Sequence, residues 1–198
     1  PHLFSSAASD VYKRQGYSVI DTSTGEFYVG ECQSDDLYET FSKYNPSDCL
    51  LPKSISYSIQ DWFIKLQPYV TSIDDLHFNY DSAHRNLVGH FKVNSLKGFG
   101  CEHLSNGIIA AGGLYLYLKN NLSKNVDHFK RISPVNDIGF MGLDGYTIKN
   151  LEVFESISSH NNDGTLINCI DTTMTSGGGR LLYKWLRNPL ADRKRIEG

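Results

Sequence analysis

Several sets of residues in this 198-residue chain are of types that do chemistry, and each set requires a particular setting. Asp21 closes a β-rich run beginning near Tyr17, where a carboxylate could hold a metal ion for phosphodiester cleavage. Such cleavage needs three or four converging carboxylates. Asp48, Glu102 and Asp127 are available, but no spacing selects them over the other acids. The structural alternative is that Asp21-Thr22-Ser23-Thr24-Gly25 is a turn, in which Asp and Ser side chains bond turn amides and Gly25 takes positive φ. Gly177-Gly178-Gly179-Arg180 opens a helix, and free amides at a helix N-terminus attract anions. A phosphate-cradling loop also needs a Lys followed by Ser or Thr, and none follows here. The seven histidines, His2, His77, His84, His90, His103, His128 and His160, form no HxxxH or HExxH pair. Cys32, Cys49, Cys101 and Cys169 make no CxxC, so they are expected to be reduced, buried thiols of a cytosolic protein. Tyr115, Tyr117, Trp62 and Phe63 could stack on bases, but their helical spacing assigns them to a core. No catalytic, cofactor-binding or metal-ligating residue is expected within these residues.

Charge narrows the choice further. A net charge of -3 and a pI near 6.2 argue against a chain that wraps nucleic acid over its whole surface. The balance is uneven: from Arg180 to Arg195 there are six basic residues, Arg180, Lys184, Arg187, Arg193, Lys194 and Arg195, against one acid, Asp192. This stretch reads either as a solvated helix face or as a minor phosphate contact, with Arg180, Lys184 and Arg187 as the candidates. Mean hydropathy is -0.34, and no apolar run approaches the ~18 residues of a membrane helix.

The elements that must position these residues follow from periodicity. The chain begins with Pro1, and SSAASDVYKRQ has the look of a cloning or sequencing junction, so residues 1–15 are set aside as a non-native or disordered leader. From Gly16, two alternating runs flank the Asp21–Gly25 turn and predict a hairpin. Helices are expected over Asp35–Tyr44 and Gln60–Gln67, around His84–Phe91, and over Leu104–Leu118. Short extended segments should lie at Asp48–Leu51 and near Tyr69–Phe78. Gly112 and Gly113 inside the last of these helices cost about 1 kcal/mol each relative to Ala, which close packing against a neighbour would explain. Lys124–Pro134 reads as a link. Beyond it, Leu143, Thr147, Leu151 and Phe154 predict one helix, with Asp144 as its cap, and Leu181, Leu182, Trp185 and Leu186 predict another, stopped by Pro189. Ala191 to Gly198 begins a further helix that breaks off, so both ends of the chain look cut.

The order of residues after Phe140 carries more information than periodicity. Phe140, Met141, Leu143 and Asp144 are followed by Thr147, Asn150, Leu151 and Glu152. Then come Leu166, Asp171, Thr173, Thr175, Gly178, Arg180, Leu181, Leu182, Trp185, Leu186, Pro189 and Leu190. This order resembles the start of the core, or lever, region of the MutS family of DNA mismatch repair proteins. GYSVIDTSTGEF from Gly16 and VNSLKGFG from Val93 resemble the connector domain of the same family. The resemblance runs from about Gly16 to the C-terminus. It departs from the family at Gly177 and Gly179, where larger residues usually flank a single glycine.

The resemblance implies an α/β fold: a ribonuclease H-like connector domain over 16–133, followed by the first helices of an all-α core domain over 134–198. It implies a fragment whose parent binds mismatched double-stranded DNA and, with Mg, ATP. That parent would act as a homo- or heterodimer, recruit a MutL-type partner, and work in a bacterial cytoplasm at the nucleoid or in a eukaryotic nucleus. On this reading the fragment links the mismatch-reading and ATPase domains. The competing readings are an autonomous ribonuclease H-like, metal-dependent nuclease and a pure interaction module. Converging carboxylates would favour the nuclease.

Overall fold

The hairpin forms where the alternation requires it. Strand β2 (Arg14–Asp21) pairs antiparallel with β3 (Glu26–Gln33), from Arg14 opposite Gln33 to Asp21 opposite Glu26. Successive side chains of a strand point to opposite faces, so Tyr17 and Val19 enter one apolar cluster while Ile20 enters the other. The computed structural model describes residues 2–8, 14–44, 46–56, 69–121, 126–135, 140–143, 145–158 and 163–197. The chain divides into two compact units, Pro1–Val135 and Asn136–Gly198.

The first unit is mixed α/β, built on a six-stranded sheet of order β5-β4-β1-β2-β3-β6. Strand β1 (His2–Ala8) runs antiparallel to β2, and β4 (Asp48–Pro52) lies parallel to β1. On the outer side β5 (Tyr69–Ile73) is parallel to β4, while the short β6 (Ser133–Pro134) is parallel to β3 at the other edge. Residues 2–8, set aside above as leader, are therefore an inner strand. Phe4 is fully buried, its ring stacked 5.8 Å from Tyr17 and edge-on 5.0 Å from Phe41. Alternation does not reveal this strand because it is covered on both faces: Ser5 and Ser6 are as buried as Phe4, and a doubly covered strand shows no polar alternation. It follows that Asp21 ends the second strand of the sheet, not the first.

One face of the sheet is covered by α1 (Leu37–Tyr44), whose Leu37 and Phe41 pack with Phe4, Val19 and Leu51. After the one-turn α2 (Lys53–Ser56), the expected helix over residues 60–67 lies outside the described residues. The other face is covered by α3 (Tyr80–Phe91) and α4 (Ser105–Asn121). Asn79 caps α3 by accepting from the Ser82 amide at 3.2 Å. Helix α4 is buried nearly all round, and its glycines are close-approach points. A Cβ on Gly112 would lie 2.2 Å from that of Ala83 on α3, and one on Gly113 would lie 2.8 Å from the Phe78 ring. Where α4 crosses the hairpin, a Cβ on Gly16 would fall 2.0 Å from the Asn106 carbonyl carbon. The segment read as a link is also part of this unit: Phe129 and Ile132 are buried in the main cluster.

The second unit is helical among its described residues: α5 (Gly145–Asn150), α6 (Leu166–Ile170), α7 (Ser176–Arg187) and α8 (Arg193–Glu197). The expected stripe Leu143, Thr147, Leu151 and Phe154 does not form one helix face. Helix α5 ends at Asn150, Leu151 is 61% exposed, and Ile148 and Val153 are buried instead. Glu152 breaks the helix with φ 47°. Its backbone carbonyl accepts from the Leu166 amide, while its carboxylate accepts from the Ile157 amide at 2.6 Å and the Ser156 hydroxyl at 3.2 Å. These local bonds outcompete the helical ones. Asp144, the expected cap, lies outside the described residues. Phe140 bridges antiparallel to Leu190, and the Met141 amide donates to the Pro189 carbonyl at 2.7 Å. Among the described residues no helix is long and apolar enough to cross a membrane.

Candidate nucleic-acid interface

Helix α7 presents the basic residues singled out above. The turn before it is built by side chains: Asp171 accepts from the Thr173 amide at 2.9 Å and from its hydroxyl at 2.7 Å. These two bonds hold the Asp171 carboxyl below its ordinary range. Thr175 then caps α7 by accepting from the Gly178 amide at 3.1 Å. The D-x-T-x-T order thus spells a turn followed by an N-cap. Within α7, Arg180, Lys184 and Arg187 fall at i, i+4 and i+7 and share one flank.

Their surroundings separate them. Arg180 and Lys184 are exposed. Arg187 is drawn into the unit's own packing, its guanidinium 5.6 Å from the Phe154 ring centre and 5.4 Å from that of Tyr183. The two rings stack on each other at 4.1 Å. Burial pulls the Arg187 pKa down, and a desolvated cation over aromatic faces is stabilised by about 2 kcal/mol. Farther along, Arg193 pairs with Glu197 at 2.7 Å and Arg195 lies 5.4 Å above the Phe140 ring. Phe154 is what the sequence reading missed here. Its place in a supposed helical stripe hid its role as the platform for Arg187.

The acids do not assemble. Asp21 accepts from the Ser23 hydroxyl at 2.6 Å, the Ser23 amide at 2.8 Å and the Thr24 amide at 3.4 Å. Burial pushes its pKa up, but the Ser23 bonds together with nearby positive charge, that of His2 included, hold it below the ordinary value. Gly25 takes φ 79°, as the turn reading requires. Asp48 accepts from the Ser47 hydroxyl at 2.8 Å. Glu102 is held between His84 at 3.0 Å and the Leu96 amide at 2.6 Å. Among the described residues, no group of three or more His, Cys, Asp or Glu side chains stands where it could share a metal ion. No observation favours the nuclease reading.

Other candidates have packing roles. His90 donates to the Phe129 carbonyl at 2.8 Å, and His128 to that of Thr22 at 3.1 Å. Tyr115 is buried in the main cluster, whereas Trp62 and Phe63 lie outside the described residues. The thiols are free, but the expectation that all four are buried needs correction: Cys49 and Cys101 are, Cys32 is half-buried, and Cys169 is exposed on α6. Burial pushes Cys32 and Cys101 up to about 11.

Comparison with known proteins places these two units in order. A family model described as MutS domain II matches residues 5–130, and one described as MutS domain III matches residues 146–198. The chain is 36% identical over 186 residues to the DNA mismatch repair protein MutS of Flavobacterium johnsoniae, covering 94% of this chain and 21% of that protein. It is 34% identical over 193 residues to that of Halothermothrix orenii, covering 92% of this chain and 21% of the relative. It is 36% identical over 197 residues to that of Syntrophobacter fumaroxidans, covering 98% and 22%. The chain spans about a fifth of the length of these curated relatives.

Proposed function

Since the chain belongs to the MutS family of DNA mismatch repair proteins, we propose that it is the linking piece of a mismatch-recognition ATPase. Its first unit, Pro1–Val135, is the connector, strand β1 included, and its second, Asn136–Gly198, is the start of the core domain. The observation that carries this reading is the succession of a domain II match over the sheet-bearing unit and a domain III match over the helical one. The parent binds mismatched double-stranded DNA, uses ATP with Mg, dimerises, recruits a MutL-type partner and works in the bacterial cytoplasm at the nucleoid. The connector is ribonuclease H-like, a reading supported by three antiparallel strands, β1 to β3, continued on the β1 side by parallel β4 and β5. In it the Asp21 turn is structural. Arg180 and Lys184 make minor phosphate contacts, while Arg187 holds α7 to its own unit.

A chimaera tests this. This chain replaces the matched stretch of the Flavobacterium johnsoniae relative, in a strain lacking its own gene, and should restore a low spontaneous mutation rate. In the purified chimaera, mismatched duplex should change ATP turnover. A folded chimaera that binds mismatches and hydrolyses ATP without coupling the two would overturn the linking role. Arg180→Ala and Lys184→Ala should each reduce the slope of log affinity against log salt by about 1; unchanged slopes would remove them as contacts.

A further inference from the structure

No further inference is drawn: the strongest candidate, the exposed apolar flank of α7 carrying Leu181 and Trp185, carries no proposal because nothing in the structure shows what covers it.

Discussion

Asp21 and Arg187 are both charged residues that the sequence offers as functional and the structure uses for packing. Three donors converge on one Asp21 oxygen, and a hydrogen bond to a charged group contributes about 1.5–3 kcal/mol. Asn keeps one acceptor but loses the charge, so Asp21→Asn should lower stability at pH 7 by about 1–2 kcal/mol in urea unfolding. The pH dependence has a definite sign. The folded carboxyl titrates below its unfolded value of 3.8, so its stabilisation is present above that pH and is lost as pH falls through the folded pKa. The gap between wild type and variant should close as pH falls through the folded pKa, and a gap that persists in stronger acid would assign the loss to something other than charge. For Arg187, truncation to Ala should remove about 1–2 kcal/mol from the second unit, read as faster amide exchange along α7. In the chimaera it should leave the salt slope of DNA binding unchanged, unlike Arg180→Ala. A matching drop in slope would make Arg187 a phosphate contact after all. The two roles differ in how far the sequence shows them. The Asp21 turn can be read from composition, but the Arg187 platform depends on Phe154, which lies outside any helix.

At the scale of elements, periodicity finds the hairpin and the longer helices and fails at β1 and at the end of α5. The hairpin and helices α1, α3, α4 and α7 fall where alternation and helical spacing put them. Strand β1 is hidden because small and apolar residues are buried together on both its faces. Helix α5 is shorter than its spacing suggests because the pattern continues past Asn150, while Glu152 binds the following amides with its own carboxylate. Glycines divide on the same physical grounds. Gly112 faces Ala83 with no room for a methyl group, so Gly112→Ala should destabilise the first unit by about 1–3 kcal/mol through overpacking. At Gly177, in the first turn of α7, an added methyl group would meet only the Thr175 hydroxyl oxygen, at 3.9 Å. Gly177→Ala should therefore stabilise the second unit by about 0.5–1 kcal/mol, by removing unfolded-state freedom. Thermal unfolding of both variants checks the pair. Equal effects of the same sign would show that neighbour distance does not separate these glycines.

The whole molecule raises a question of completeness. In the first unit two apolar clusters, one on each face of the sheet, include Phe4, Phe27, Phe41, Leu87, Leu114 and Phe129. At 135 residues it lies within the size range of domains that fold alone. The second unit buries Ile148 and Val153, yet leaves Trp185 63%, Leu181 46%, Ile196 61% and Met174 95% exposed. Burying such a side chain is worth roughly 1.5–3 kcal/mol, so by itself this unit forgoes a large part of the stability its composition could supply. In the isolated chain it should open first, by local unfolding below the global free energy. The site of attack follows from burial. Residues 126–135, despite reading as a link, carry buried Phe129 and Ile132 and the backbone carbonyl that accepts from His90, so a protease should pass them over. Ile157, Ser158, Asp163 and Gly164 are exposed, and cleavage beside one of these four should come before any within 126–135, leaving an early fragment that extends past Val135. Mass spectrometry of the early products locates the cut. First cleavage within 126–135, or α7 amides exchanging as slowly as those of β2 in a monomer, would show that the second unit is complete without further partners.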